Sequence, residues 1–289
     1  MTNAAIPSAG LTPDEPNEPT ERPAPHAPGS GLTAAQLAAK RRRVPVLNVY
    51  VDDLTMDDLV EVRQGAIATL HVDMIVKLQR DRSFYDIWPT FEVVTCDSQF
   101  LYFALKLMRR GVTMRVSGSD YFPAFYRRYA DDPTMTVFLC GAAPGIAETA
   151  RAKVNAKVGR EMVVGTAAPS FDMAPGSAEE DELIRAIDES GATALLVALG
   201  AGRQEKWIAA NRHRLPKVQL FLPLGGTIDY EAAAVKRPPA WITNIGLEWF
   251  WRLVREPKRR WRRYLVEEPR VIPYLVRDAL GSYRNPFAG

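Results

Sequence analysis

Seven basic residues fall within twelve positions near the C-terminus of this 289-residue chain: Arg252, Arg255, Lys258, Arg259, Arg260, Arg262 and Arg263. Trp249, Phe250, Trp251, Trp261 and Tyr264 are threaded among them. A guanidinium presents a fixed fork of donors that matches phosphate oxygens, and indole and phenol rings favour the boundary between water and lipid headgroups. The cluster therefore points to a phosphate held at an interface. Arg252, Arg255, Arg259 and Arg262 recur at steps of three and four, the spacing of one helix face, with Pro257 expected to restart the helix between them. The formal charge of the whole chain is only +3, so the basicity is local.

A second set of candidates lies just after the short apolar runs. These are His71 and Asp73, Asp97 and Ser98, Gly141 to Gly145 with Pro144, Gly200 to Gln204, and Gly225, Gly226 and Asp229. In an open parallel sheet such positions form the crown where ligands bind. Glycines there let a ligand approach the backbone, and the helix N-termini expected at Gly145 and near Gln204 favour anions. Asp97 ends a run that reads as buried strand, so its carboxylate points into the crown as a general base would. The competing reading is an N-cap for a helix starting near Gln99. Asp73 reads as such a cap. The Gly141–Gly145 loop lacks both Gly-x-Gly-x-x-Gly and the lysine of a P-loop, and reads equally as an ordinary tight turn.

These candidates need elements to position them. Residues 1–43 are rich in Pro, Ala, Thr and Glu, and are expected to be a disordered leader. From residue 44 apolar runs alternate with helical patterns. Strands are expected at 46–51, 66–71, 91–96, 136–140, 162–166, 194–199 and 218–222. Helices are expected at 55–64 (opened by Thr55-x-x-Asp58), 73–82, 99–110, 121–130, 145–157, 179–190 and 204–214. Continuous apolar strands alternating with helices predict an α/β domain over 44–239, a mostly parallel Rossmann-like sheet with helices on both faces. Residues 240–289 read as a basic–aromatic C-terminal appendage of two Pro-containing helices and an amphipathic tail helix.

With 47% hydrophobic and 25% charged residues the chain can build a substantial core, and no run is long and apolar enough to span a membrane. No apolar secretory signal opens the chain. Cys96 and Cys140 read as buried, reduced thiols of a cytosolic protein rather than a disulfide, and three dispersed histidines speak against structural zinc.

Five blocks, taken in order, resemble the WecG/TagA/CpsF glycosyltransferase family. They are Arg115-Val-Ser-Gly-Ser-Asp120, Phe138-Leu-Cys-Gly-Ala-Ala-Pro-Gly145, Leu199-Gly-Ala-Gly-Arg-Gln-Glu-Lys-Trp207, Gly225-Gly-Thr-Ile-Asp229, and the stretch from Val235 through Gly246-Leu-Glu-Trp249 to Tyr264. The resemblance implies a sheet of the GT-E type with a membrane-binding helical appendage. It implies inverting transfer of a sugar, such as N-acetylmannosamine or a hexose, from a UDP-sugar onto a polyprenyl-diphosphate-linked sugar in cell-surface polysaccharide synthesis. By position it makes Asp97 the base, Thr69 and Gln204 pocket residues at the reaction, and Arg115 a pocket arginine on the acceptor side. Arg252, Arg259 and Arg262 become the arginines that hold the lipid diphosphate. The donor is expected on Gly141, Pro144, Gly145, Gly200, Gly225, Gly226 and Asp229. Chains of this kind can self-associate through the core, and the expected place is the cytoplasmic leaflet of the plasma membrane, peripherally bound. No cofactor is expected and, without an Asp-x-Asp motif, no metal. Five positions depart from the usual pattern: His71 for Asn, Ser98 for Gly, Gly202 for Pro, Arg203 for Lys and Thr227 for Ala. A basic-tailed nucleic-acid-binding protein and an NAD-dependent dehydrogenase are the competing classes. The near-balanced charge outside the tail disfavours the first, and the missing dinucleotide fingerprint the second.

Overall fold

A computed structural model describes residues 31–235, 238, 239, 242, 247–255 and 257–288. Seven strands form one parallel sheet: β1 (Leu32–Thr33), β4 (Val62–Leu70), β5 (Val93–Cys96), β6 (Val137–Gly141), β7 (Val163–Ala167), β8 (Ala194–Ala198) and β9 (Leu220–Leu222). The spatial order runs β4-β9-β8-β6-β7. The long β4 pairs with β1 through its first residues and with β5 through its last, in the register Thr69 to Thr95 and Leu70 to Cys96. A separate antiparallel hairpin joins β2 (Arg43–Val46) to β3 (Val49–Asp52).

Alternate strand residues feed two cores. Ala66, Ala68, Leu70, Phe138, Cys140, Leu195, Val197 and Phe221 face one; Ile67, Val137, Leu139, Ala194, Leu196, Leu220 and Leu222 face the other. The first core is closed by α3 (Val72–Leu78), α4 (Arg82–Ile87), α5 (Gln99–Leu107), α8 (Ala178–Glu189) and α9 (Arg203–Asn211). The second is closed by α1 (Ala34–Lys40), α2 (Met56–Val60), α6 (Gly118–Arg128), α7 (Ile146–Val158) and α10 (Thr227–Glu231). Burial on both faces explains why the strands read as unbroken apolar runs. The helix after β4 covers the first face and the helix after β9 covers the second. These adjacent strands therefore frame a crevice at their carboxyl ends.

The C-terminal region continues as α11 (Glu248–Arg255), α12 (Pro257–Trp261), a π-helical turn (Arg262–Glu267), one 3-10 turn and α13 (Val271–Ala279). Val271 and Leu275 enter the first core, and Tyr283 donates to Gln79 Oε1 at 2.5 Å. The C-terminal segment thus does not hang free of the sheet domain: α13 packs into the first core, and Tyr283 bonds the C-cap of α3.

Several elements differ from the sequence expectation for identifiable reasons. Among the described residues regular structure is already present at Leu32, ahead of residue 44. Thr33 and Gln36 form a capping box, and Ala34, Leu37 and Ala38 pack into the second core, so a short helix of small residues finds its stability in tertiary contact. The strand expected over 46–51 is a hairpin, because Leu47 takes a left-handed φ of 56° and turns the chain. Thr55 and Asp58 make the expected capping box, but α2 ends at Val60 and the next residues join β4. The helix expected over 73–82 is two, α3 and α4, with Asp81 capping the second.

Candidate active site

Asp97 follows β5 directly. It does not cap α5: Ser98 does, its hydroxyl accepting from Leu101 N–H at 3.3 Å. The Asp97 carboxylate is left a quarter exposed, at 25%, on the crown. A backbone donor and a guanidinium face it. Gly118 N–H, in the first turn of α6, donates to Asp97 Oδ2 at 3.5 Å, and Arg115 Nη1 lies 3.8 Å from Oδ1 while donating to the Asp97 carbonyl at 3.1 Å. A helix N-terminus and a guanidinium both attract the anion. Arg115 is fixed in turn by Asp120 at 3.3 Å, and Asp120 accepts from the capping hydroxyl of Ser117. The Arg115–Asp120 block is therefore a device for aiming one carboxylate.

Gly118 also explains itself sterically. A Cβ there would lie 2.7 Å from Leu224 Cδ2 and 3.5 Å from Thr69 Cγ2. The absent side chain lets α6, the loop after β9 and the end of β4 close on one point. This places Thr69, buried at the β4 terminus, beside Gly118 and near Asp97. Gln204 is buried as well. Its amide nitrogen donates to Glu205 Oε1 at 2.8 Å and to Pro223 O at 2.9 Å, so its oxygen is turned to Gly225, where a Cβ would come within 2.9 Å. That oxygen accepts no bond among the described residues. Burial pushes the Glu205 carboxyl up, although Gln204 and the Gly202 N–H bind it.

The glycines fall into two groups. Gly200 follows β8, and Gly225 and Gly226 follow β9, next to β4; Gly226 takes a left-handed φ of 80° as α10 begins, with Asp229 in its first turn. Gly141, Pro144 and Gly145 follow β6, four strand positions from β5, or roughly 19 Å at ordinary strand spacing. Gly141 has a packing role of its own, since a Cβ would meet the Ala198 backbone at 2.4 Å.

Of the tail arginines, Arg262 points outward, its side chain 76% exposed and paired with Glu267 at 3.2 Å. The side chains of Arg252, on α11, and Arg259, on α12, lie outside the described residues. Sequence reasoning gave no role to Arg263, which enters the crown. It donates to Asp73 Oδ1 at 2.8 Å and to Glu268 Oε1 at 3.0 Å and lies 3.4 Å from His71 Nδ1. Asp73 is also ion-paired with His71 and, at 3.6 Å, with Lys77; it is not the expected cap, for His71 occupies that position without a side-chain cap bond. Burial opposes charge on both, yet the pairing prevails. His71 is raised by Asp73 and, further off, by Asp97, against the opposing charge of Arg263, and Asp73 is held well below the usual carboxylate range by His71, Arg263 and Lys77. One signal could have pointed to Arg263: a buried Asp three residues after a strand demands a cation.

Cys96 and Cys140 are buried and unpaired, and burial pushes both thiols up to about 12, which removes them as nucleophiles near neutral pH. Among the described residues no three His, Cys, Asp or Glu side chains converge as metal ligands would, and no helix is long and apolar enough to cross a membrane.

Residues 44–285 match the model of the family described as glycosyl transferase WecG/TagA/CpsF. Among curated proteins, the chain is 26% identical over 220 residues to the N-acetylglucosaminyldiphosphoundecaprenol N-acetyl-beta-D-mannosaminyltransferase of Bacillus subtilis (strain 168), covering 76% of this chain and 82% of that one.

Proposed function

This chain belongs to the WecG/TagA/CpsF glycosyltransferase family, and we propose that it moves a hexose or N-acetylhexosamine from a UDP-sugar onto N-acetylglucosamine carried on polyprenyl diphosphate, in the assembly of a cell-surface polysaccharide. The observation that carries this reading is the Asp97 carboxylate, aimed by Arg115 and Gly118 and open at the crevice between opposite-facing helices. The acceptor class follows from the relative's name, which specifies an N-acetylglucosaminyl diphosphoundecaprenol.

In the reaction Asp97 takes the proton of the acceptor hydroxyl as its oxygen attacks the anomeric carbon. The bond from that carbon to the diphosphate breaks on the opposite face, and the configuration inverts. Gln204, with its amide pinned and its oxygen at Gly225, and Thr69 beneath Gly118 line the sugar's place. The Gly200 and Gly225–Gly226 loops receive the diphosphate through backbone N–H groups. Gly141–Gly145, farther along the sheet, and Asp229 meet the nucleoside end of the donor. Arg252, Arg259 and Arg262 meet the acceptor's diphosphate, and the basic–aromatic tail rests on the inner leaflet of the plasma membrane. Purified protein is to be offered a panel of nucleotide sugars and a short-chain, water-soluble polyprenyl-diphosphate N-acetylglucosamine, with products read by mass spectrometry. A glycosylated acceptor with one UDP-sugar is expected. No transfer from any donor in the panel would refute the proposal.

A further inference from the structure

The helix that begins beside the base carries an apolar stripe on its outside. On α5, Leu101 and Leu105 are buried, while Phe100, Phe103 and Leu107 are exposed at steps of three and four, Leu107 by 86%. Both faces of this helix are therefore apolar, which a helix covering a sheet does not require. A second stripe runs along α13 to its C-cap, where Ile272, Val276 and Leu280 recur every four residues, all exposed, while Val271 and Leu275 pack inward. The two helices come from distant parts of the chain. Their C-terminal ends are pinned together by Arg110 Nη1, which donates to Asp278 Oδ2 at 2.6 Å.

Cations rim this corner. Lys106 and Arg109 flank Leu107, and Arg277 flanks Val276; all three are exposed and have no carboxylate partner among the described residues. This charge decides what covers the stripes. A second copy docked about a two-fold axis would set the patch against itself, like charge on like. An anionic lipid surface offers the opposite sign, and Phe and Leu flanked by Lys and Arg are what a helix lying in the headgroup region presents.

We infer that the paired stripes of α5 and α13 are a membrane-contact surface that seats the crown on anionic lipid, in addition to the basic–aromatic tail. The inference rests on the proposed lipid-linked acceptor, for which such seating brings Asp97, two residues before α5, to the depth of the acceptor sugar.

The test uses the full chain and vesicles without acceptor, so that it stands apart from the transfer reaction. Flotation with vesicles of phosphatidylcholine and phosphatidylglycerol compares wild type, the triple variant Phe100→Ser, Phe103→Ser and Leu107→Ser, and the pair Lys106→Glu and Arg277→Glu. Each variant is expected to lose vesicle binding by about tenfold or more while turning over a short water-soluble acceptor at the wild-type rate. The charge pair changes exposed side chains alone and serves if the triple variant does not fold. Wild-type partitioning in folded variants would overturn the inference. So would a wild-type dimer in sedimentation that the triple variant makes monomeric with vesicle binding unchanged. Loss of soluble-acceptor turnover in wild type would instead count against the transferase reading.

Discussion

Replacing Arg263 with alanine should release the C-terminal tail and leave the sheet intact. Arg263 makes two charge-assisted bonds, to Asp73 at 2.8 Å and Glu268 at 3.0 Å. Such bonds are each worth about 1.5–3 kcal/mol, and with a third of the arginine side chain exposed (33%) the lower figure applies, giving about 3 kcal/mol for the two. Asp73 retains His71 and Lys77, so the sheet end keeps its charge balance; Glu268 loses the cation that offsets its burial. In α13 only Val271 and Leu275 are buried, so the tail has little apolar burial to compensate. About 3 kcal/mol corresponds to about a 150-fold shift in an opening equilibrium. Amide hydrogen exchange should therefore quicken by about 100-fold over residues 262–280, with β6 unchanged. Arg262→Ala is the internal control. Its exposed pair with Glu267 is worth about 0–1 kcal/mol, so exchange should change less than about fivefold. Equal effects of the two substitutions would refute the reasoning, as would an unmoved tail in Arg263→Ala.

The same contact has a pH signature. Asp73 titrates lower in the folded chain than in the unfolded one, so its contribution is present above about pH 4 and is lost as pH falls through the folded value. His71 is raised, so its contribution is complete below about pH 6.5 and disappears as pH climbs through the folded value. The free energy of unfolding in denaturant should be greatest between those limits and decline on the alkaline side. His71→Asn should flatten that alkaline decline.

Asp97→Asn should lower kcat by about 100-fold or more with the thermal transition unchanged; turnover within a few-fold of wild type would remove Asp97 as base. Gly118→Ala drives a Cβ to 2.7 Å from Leu224 Cδ2 and should cost about 1–3 kcal/mol in denaturant unfolding, together with lost activity as the Asp97 contact opens; wild-type stability would contradict the tight closure. Cys96 and Cys140, buried with thiols at about 12, should resist alkylation in the native protein at pH 8 and react fully in denaturant.

The sheet was readable because burial on both faces leaves continuous apolar strands, and β6 and β8 fall within a residue or two of their expected limits. Asp97 was readable for the same reason: a carboxylate ending such a run has no core to enter. Less legible was anything decided by tertiary contact. The small residues of α1 look like leader sequence until β4 and α1 are seen packed together. Leu47 gives no local sign of a turn; the hairpin exists because both its strands bury valines in the first core. Nothing local marks the packing role of Gly118 and Gly225, whose absent side chains make room for Leu224 and for the Gln204 amide.

The tail shows why counting along a helix does not tell two neighbouring arginines apart. Steps of three and four describe one face only while the helical period holds. Here the period is interrupted at Pro257, where α12 begins, and again over Arg262–Glu267, where the backbone winds as a π-helix with more residues per turn. The face extrapolated from Arg252 therefore cannot be carried through to Arg262. It is Arg263 that turns inward to Asp73 and Glu268, while Arg262 faces outward. The two neighbours have different work as a result. Arg263 neutralises the enzyme's own carboxylates, so a diphosphate competing for it would have to displace two bonds already made. An exposed, screened pair such as Arg262 with Glu267 yields far more readily to an incoming phosphate. Separating an arginine that docks the tail from one free to exchange partners lets the same helical segment hold its position and still exchange ligands.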